Sequence, residues 1–461
     1  MERETLSLPR DLFFIGIGGT GMSGLALIAR GMGYRVSGSD ITESEMTVRL
    51  RERGIPVYVG HCRERIQRNG AVIVSSAIPA ENEELCAARE LRLPIVHRGV
   101  MLASLLNRKR GIAVSGTHGK TTTTSLISLL LETAGLQPTV LIGGELEDIG
   151  GNAKIGESDL FVAEADESDG SFLKLRPYCG VITNIEDDHL EHYGSMDKAV
   201  EAYQIFLERI KPGGLAVLCK DHPNVRTIIP TRKRSFRVLT YGMTEEELDC
   251  RALVLREKQR GYAFRVSNGK HSLGDFETNI PGLFNVLNAL ACIAVGVELE
   301  IGSSTIRDAI ASFSGVKRRF ECIGFYRGTQ VVDDYAHHPT EMEVVLQAAV
   351  HQTAGRLVVV FQPHRYTRTG RLYREMAQML GSAHRVLILP IYPAGERPVE
   401  NVTSELVYRA MKEKGYDQAF LSESLDDAVR ILEEWLEPGD LLITMGAGDV
   451  WKVGTCLCGK T

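Results

Sequence analysis

The chain has 461 residues, 44% hydrophobic and 24% charged, a mix that excludes disorder as the main state and suits about three domains of ordinary size. Its 53 Lys+Arg against 59 Asp+Glu leave a net charge of −6, so there is no basic excess to hold a nucleic-acid backbone. No run reaches the ~18 apolar residues of a membrane span. The segment Met1–Arg10 lacks the apolar core of a signal peptide.

The nine cysteines are scattered, and Cys456 and Cys458 have no second pair with which to form a zinc site. Reduced thiols and a cytoplasmic enzyme are expected, without nucleic-acid or membrane partners, as a monomer or homodimer. Glycine is the outlier, 46 residues against only 16 prolines.

In chain order, short apolar runs alternate with Gly/Asp/Ser breaks and amphipathic helices, the rhythm of α/β domains with parallel sheets. Leu12–Ile17, Arg35–Ser37, Ala71–Val74 and Ile95–His97 read as strands of a first domain. A basic linker, Asn107–Arg110, leads to a second strand at Gly111–Ser115. Residues from about 220 to 275 look like a β-rich insertion. Gln330–Asp333, Arg356–Phe361, Arg385–Pro390 and Leu441–Met445 then form a third series. Three domains are expected: a Rossmann-like one at 1–107, a P-loop ATPase-type one at 108–317 and a Rossmann-like one at 318–461.

Gly16-Ile17-Gly18-Gly19-Thr20-Gly21 follows a strand and opens a helical run, so it should bring a helix N-terminus against a diphosphate. Asp40 ends the next strand, where a ribose-binding acid belongs. Alone, this motif reads as NAD or any diphosphate-linked nucleoside. The second loop is sharper. In Ser115-Gly116-Thr117-His118-Gly119-Lys120-Thr121-Thr122, backbone amides would cradle phosphates, Lys120 would reach the β/γ-phosphates and Thr121 would ligate Mg²⁺. Two more strands end in acids, at Glu164-Ala165-Asp166-Glu167-Ser168-Asp169 and at Asn184-Ile185-Glu186-Asp187-Asp188-His189. So much negative charge beside a phosphate site calls for a divalent cation. A carboxylate with an imidazole, Glu164 and His189, suits Mg²⁺ or Mn²⁺.

These motifs, with Asp333-Asp334-Tyr335-Ala336-His337-His338-Pro339 and Phe361-Gln362-Pro363-His364-Arg365-Tyr366-Thr367-Arg368, together resemble the Mur ligases over nearly the whole chain and in the right order. The resemblance implies one domain each for a UDP-sugar, ATP and an incoming amino acid. It reassigns the first glycine loop from NAD to UDP. Its two C-terminal motifs point to the member that adds L-alanine to the lactyl carboxylate of UDP-N-acetylmuramate, with ATP as co-substrate, through an acyl phosphate.

The site residues it implies are as follows. Gly18, Gly19, Thr20, Gly21, Ser39, Asp40, His61 and Ser75 lie where the UDP part would bind. Gly116, Thr117, His118, Gly119, Lys120, Thr121 and Thr122 would hold the triphosphate. Asn285 and Asn288 would face the adenine, Arg319 the phosphates and Asp334 the ribose. Thr121, Glu164 and His189 would ligate metal, while Tyr335, His364, Arg365 and Arg368 would line the alanine pocket. Lys120, Arg319, His337 and His364 are the catalytic candidates, with His337, His338 and His364 all open as the base for the amine. Phe284 stands where many relatives have histidine, and Val100 where they often have an acid. Three other readings are an NAD-linked oxidoreductase, an ATP-gated binding protein and the recycling ligase that joins a tripeptide to the same sugar.

Overall fold

A computed structural model describes residues 8–459 apart from 147–148, 188–189, 246, 259, 270 and 354. Three sheets organise it. The first holds β1 (Asp11–Ile15), β2 (Arg35–Asp40), β3 (Val57–Val59), β4 (Ala71–Val74) and β5 (Ile95–His97), in the order β3-β2-β1-β4-β5 and all parallel. Chain order reverses between β1 and β4, so the loop after β1 opens at the switch point, where open α/β sheets bind ligands.

The second sheet has ten strands. They are β6 (Arg110–Ser115), β7 (Thr139–Leu146), β8 (Gly151–Lys154), β9 (Leu160–Glu164), β10 (Cys179–Ile182), β11 (Leu215–Cys219), β12 (Arg237–Gly242), β13 (Cys250–Glu257), β14 (Tyr262–Asn268) and β15 (His271–Glu277). Their order is β15-β14-β13-β12-β11-β10-β6-β9-β7-β8. β6 is flanked by β10 and β9, both parallel to it, so the three strand ends carry the second glycine loop and the two acidic segments side by side. The region expected to be an insertion is instead a continuation of this sheet. β12 pairs in parallel with β11 over Leu215–Cys219, and the strands beyond it extend the same edge.

The third sheet comprises β16 (Glu321–Tyr326), β17 (Thr329–Asp334), β18 (Leu357–Phe361), β19 (Arg385–Ile388), β20 (Ala419–Leu421) and β21 (Leu441–Met445). Its order is β16-β17-β21-β18-β19-β20, with only β16 antiparallel. β18, Leu-Val-Val-Val-Phe, is buried throughout, as a strand covered on both faces must be. No helix among the described residues is long and apolar enough to cross a membrane.

By contacts the chain forms two compact units. One runs to Arg256 and takes in Ala263–Thr278 and Phe284–Phe313; the other holds Glu257–Tyr262, Asn279–Leu283 and everything from Ser314 on. The first two sheets therefore share one unit. A continuous core joins Leu12 and Phe14 of the first sheet to Phe161 of the second and to Phe172 and Phe206 on the helical segments that cover it. At their junction Asn152, 2% exposed, donates from Nδ2 to Thr20 O at 2.5 Å and to Ser23 Oγ at 3.2 Å, tying β8 to the helix Thr20–Gly31. Asn152→Ala leaves buried groups unpaired and is expected to cost about 1–3 kcal/mol in urea unfolding, whereas an unchanged midpoint would show that the junction carries no load.

Candidate active site

The first glycine loop is pinned from β2. Ser39 O accepts the amides of Gly16 at 2.8 Å and Ile17 at 2.9 Å, and Asp40 Oδ2 accepts the Gly18 amide at 2.8 Å. Asp40 thus fastens the loop through its carboxylate. Gly19 precedes the helix that Thr20 and Gly21 begin. Ser39 Oγ contacts His61 Nδ1 at 3.1 Å, and both touch Glu84, a fully buried carboxylate. Ser75 lies just beyond β4. Arg98 reaches across: its Nη1 lies 3.1 Å from where a side chain on Gly21 would start, and its other end pairs with Asp166. One arginine therefore links the first glycine loop to the acidic end of β9.

The second loop turns sharply from β6 into the helix Lys120–Thr133. Gly116 has φ +137° with Thr183 Oγ1 only 2.0 Å from an ideal Cβ position, and Gly119 has φ +80° with Asn288 Oδ1 2.6 Å away. Side chains are excluded at both points by conformation and by space. The helix begins well before the apolar stretch that announces it in the sequence. Thr121, Thr122, Thr123 and Thr124 are all buried in its first turns despite their modest helix propensity, tertiary burial deciding the matter.

The loop is also held from β10. Asn184 Oδ1 accepts the His118 amide at 2.7 Å, and Asn184 Nδ2 and Thr183 Oγ1 donate to His118 O at 3.0 and 2.6 Å. Glu186 receives His118 Nε2 at 3.3 Å and His222 Nε2 at 3.6 Å. Burial alone would raise the Glu186 carboxyl, but hydrogen bonds from these two histidines hold it well below its usual range. Asn288 Oδ1 accepts from Thr123 Oγ1 at 3.1 Å, and Asn288 Nδ2 donates to Asn285 Oδ1 at 2.9 Å, so both adenine candidates sit against the phosphate helix.

Lys120 Nζ donates to Gly116 O at 2.6 Å, Thr117 O at 3.0 Å and Glu167 Oε1 at 2.8 Å. Burial opposes its charge, yet Glu167 and Asp166 raise its pKa, so it remains an ammonium. Burial pushes Glu167 up to about 7 despite this partner, while Arg98 and Lys120 overcome burial to hold Asp166 well below the carboxylate range. Of the four acids at and after the end of β9, Asp166 serves Arg98 and Glu167 serves Lys120. Asp169 Oδ1 accepts the Ser171 amide at 2.9 Å. Glu164 Oε1 accepts the Gly143 amide at 2.7 Å.

His189, the other metal candidate, lies outside the described residues. Among the described residues no three His, Cys, Asp or Glu side chains converge on a metal position.

In the second unit the ends of β17, β18 and β21 build a cationic, aromatic cluster. Asp334 Oδ1 and Oδ2 accept the amides of Ala336 and Phe320 at 2.7 and 2.8 Å, and burial pushes the carboxyl up to about 6 against the pull of Arg319. Asp334 is only 3% exposed, and its carboxylate organises the backbone here. Arg318, in the left-handed region at φ +62°, binds Asp333 Oδ2 at 2.9 Å and Gly446 O at 2.6 Å. The guanidinium groups of Arg318 and Arg319 lie 5.1 and 5.2 Å from the Tyr335 ring centroid.

From Tyr335 a ladder of rings runs to His337 at 5.4 Å, then to His364 at 5.5 Å, then to Tyr392 stacked at 5.7 Å. His337 Nδ1 faces Tyr335 O at 3.0 Å and Glu341 Oε2 at 3.4 Å. His338 is buried at the start of the helix Pro339–Gln352. Arg365 sits before the helix Tyr366–Leu380 at φ +69°, its amide bonded to Tyr392 O at 2.9 Å. It is exposed, whereas Arg368 in the first turn is buried, so the two reach the cluster from different elements rather than from one helical face. A bulky residue held at positive φ stores strain, and here two do so beside one cluster. Burial, reinforced by the positive charges of His337, Arg368, Arg365 and Arg318, drives the His364 pKa down to about 3.

The sequence motifs bring together most of this cluster but miss Arg318, Asp333 and Tyr392, and in the first unit they miss Glu84. The basic run Lys317–Arg319 signals Arg318; nothing local signals Tyr392, which arrives from a loop after β19.

Comparison with known proteins places these features in a family context. The Mur ligase family catalytic domain matches residues 12–110, the Mur ligase middle domain 114–296 and the Mur ligase glutamate ligase domain 318–448. The UDP-N-acetylmuramate–L-alanine ligase of Carboxydothermus hydrogenoformans is 45% identical over 448 residues, 97% of this chain and 96% of that protein. Its counterpart in Geotalea daltonii is 44% identical over 97% of both chains. Among solved structures, the UDP-N-acetylmuramate-alanine ligase of Thermotoga maritima superposes with a TM-score of 0.83 at 29% identity, covering 98% of each chain.

The pKa of His364 has a measurable consequence. Its folded value is about 3, while an unfolded histidine titrates near 6.5. Between those values the unfolded chain binds a proton that the folded chain refuses, so stability falls as pH drops below about 7. From this group alone, stability at pH 5 should be about 2 kcal/mol below that at pH 7. His364→Gln should remove that part of the slope in urea titrations; identical slopes in both proteins would contradict the assignment.

Proposed function

The chain belongs to the Mur ligase family, and we propose that it joins L-alanine to the lactyl carboxylate of UDP-N-acetylmuramate with hydrolysis of ATP to ADP and phosphate. What supports this reading most is the cluster around His364: several arginines beside a neutral imidazole suit a small amino acid whose carboxylate must be gripped and whose amine must lose a proton.

A carboxylate is a poor electrophile. Its oxygen first attacks the γ-phosphorus of ATP, ADP leaves, and an acyl phosphate forms. The amine of alanine then attacks the acyl carbon, phosphate leaves and the amide remains. Lys120 at the start of its helix supplies positive charge to the transferring phosphoryl oxygens, together with the helix amides. Arg319 and Asp334 are the second unit's candidates for the nucleotide, with Asn285 and Asn288 as those for adenine on the first. Thr121 and Glu164, with His189, would hold Mg²⁺, which when bound supplies further neutralisation of phosphate charge.

Ser39, His61, Ser75 and the Gly18–Gly21 loop take the UDP part. Arg365 and Arg368 take the alanine carboxylate and His364 takes the amine proton. Arrival of that carboxylate would cancel part of the positive field that holds His364 low and so strengthen the base.

The test is phosphate release from ATP and UDP-N-acetylmuramate with and without L-alanine. Release should require alanine and fall at least 10²-fold in Lys120→Ala. Arg365→Ala should raise the KM for alanine about tenfold or more while leaving that for ATP within about twofold, the loss of one charge-assisted contact. Release indifferent to alanine, or restored only by a tripeptide, would overturn the reading.

A further inference from the structure

Glu84 is the buried carboxylate that no motif announced. It is 0% exposed, at the second position of the helix Glu83–Glu90, where Asn82 Oδ1 caps the amides of Glu84 and Leu85 at 3.0 and 3.1 Å. The helix N-terminus favours its negative charge. Four groups surround it. Ser39 Oγ donates to Oε2, His61 Nδ1 lies 2.9 Å from the same oxygen, the Cys62 amide donates to Oε1 at 3.1 Å, and Arg65 Nη1 stands 3.8 Å from Oε1. The same arginine donates to Gly60 O at 2.5 Å, so the segment after β3 wraps round the carboxylate.

Proton accounting fixes the state of His61. An ionised carboxylate only accepts, so the single Ser39 hydroxyl proton goes to Glu84. Ser39 Oγ can then only accept from His61 Nδ1, 3.1 Å away. Both neighbours of Nδ1 are acceptors, so Nδ1 carries a proton, and the neutral form of the ring then has its lone pair on Nε2. The His61 ring is partly exposed while Glu84 is sealed beneath it.

Ser39 also holds the glycine loop through its carbonyl, so one buried carboxylate braces both the loop strand and the histidine. We propose that Glu84 is a positioning residue of the UDP-sugar site: it fixes His61 as the Nδ1–H tautomer, so that Nε2 offers an acceptor to an N–H or hydroxyl of the uridine nucleotide. This rests on the UDP-sugar reading of the first glycine loop. The effect on turnover is indirect, because Glu84 is too buried to touch substrate.

Two measurements on the full-length protein test it. Long-range ¹H–¹⁵N correlation on histidine-labelled wild type, with the His61 signal assigned by its loss in His61→Gln, should show Nδ1 protonated and Nε2 bare near pH 7.5. Calorimetry with UDP should give a Kd that rises about tenfold or more in Glu84→Gln, while the Kd for ATP stays within about twofold. The amide would put a donor where two donors already point, and the His61 tautomer should mix or invert.

Glu84→Asp keeps the charge and should keep the tautomer and most of the affinity. It also provides a folded comparison if the glutamine variant does not fold. A wild-type His61 protonated at Nε2, or UDP affinity unchanged in a folded Glu84→Gln, would overturn the proposal. Wild type with the expected tautomer but no affinity for UDP would instead overturn the UDP-sugar reading, and with it the role given to Glu84.

Discussion

The charge of Lys120 is carried into a nearly closed site, and the first unit is arranged around keeping it there. Two loop carbonyls and Glu167 satisfy its three protons. Asp166, close enough to raise the lysine's pKa, is itself neutralised by Arg98, which also crosses Gly21 of the other glycine loop. A buried ammonium is tolerable only with such complete pairing. In the proposed reaction a triphosphate would offer the same ammonium anionic oxygens in place of these partners. The strand order makes the pairing possible by setting the acidic ends of β9 and β10 on either side of β6.

The second unit solves a different electrostatic problem. Its cluster at the ends of β17, β18 and β21 gathers several like charges: Arg318, Arg365 and Arg368 all act on His364. The cost is offset by cation–π contacts on Tyr335 and by the buried Asp333 beneath Arg318. The positive groups around His364 make it costly to charge that ring. Holding Arg318 and Arg365 at positive φ aims both backbones against their preference, which a packed framework must enforce.

Much of this was legible in the sequence because phosphate chemistry leaves dense local marks. Gly116, Gly119, Lys120 and the acids after two apolar runs lie within short windows, and the α/β rhythm places them at strand ends. What stayed hidden depends on distant partners. Glu84 sits in the run Glu81-Asn82-Glu83-Glu84, which reads as a solvated helix start, and only the fold turns its fourth residue inward onto Ser39 and His61. Asp40 and Asp334 were visible as acids, but their engagement by backbone amides at Gly18, Phe320 and Ala336 was not. Strands β12–β15 were read as strands but not as members of the central sheet, because charge and alternation report exposure and not pairing partner.

The proposed first step is phosphorylation of the sugar carboxylate before the amine attacks. It is tested most directly by labelling both oxygens of the lactyl carboxylate of UDP-N-acetylmuramate with ¹⁸O and following ligation to L-alanine by mass spectrometry. Activation through an acyl phosphate predicts that one ¹⁸O per turnover appears in inorganic phosphate and one remains in the new amide. Unlabelled phosphate, with the amide product formed, would contradict it.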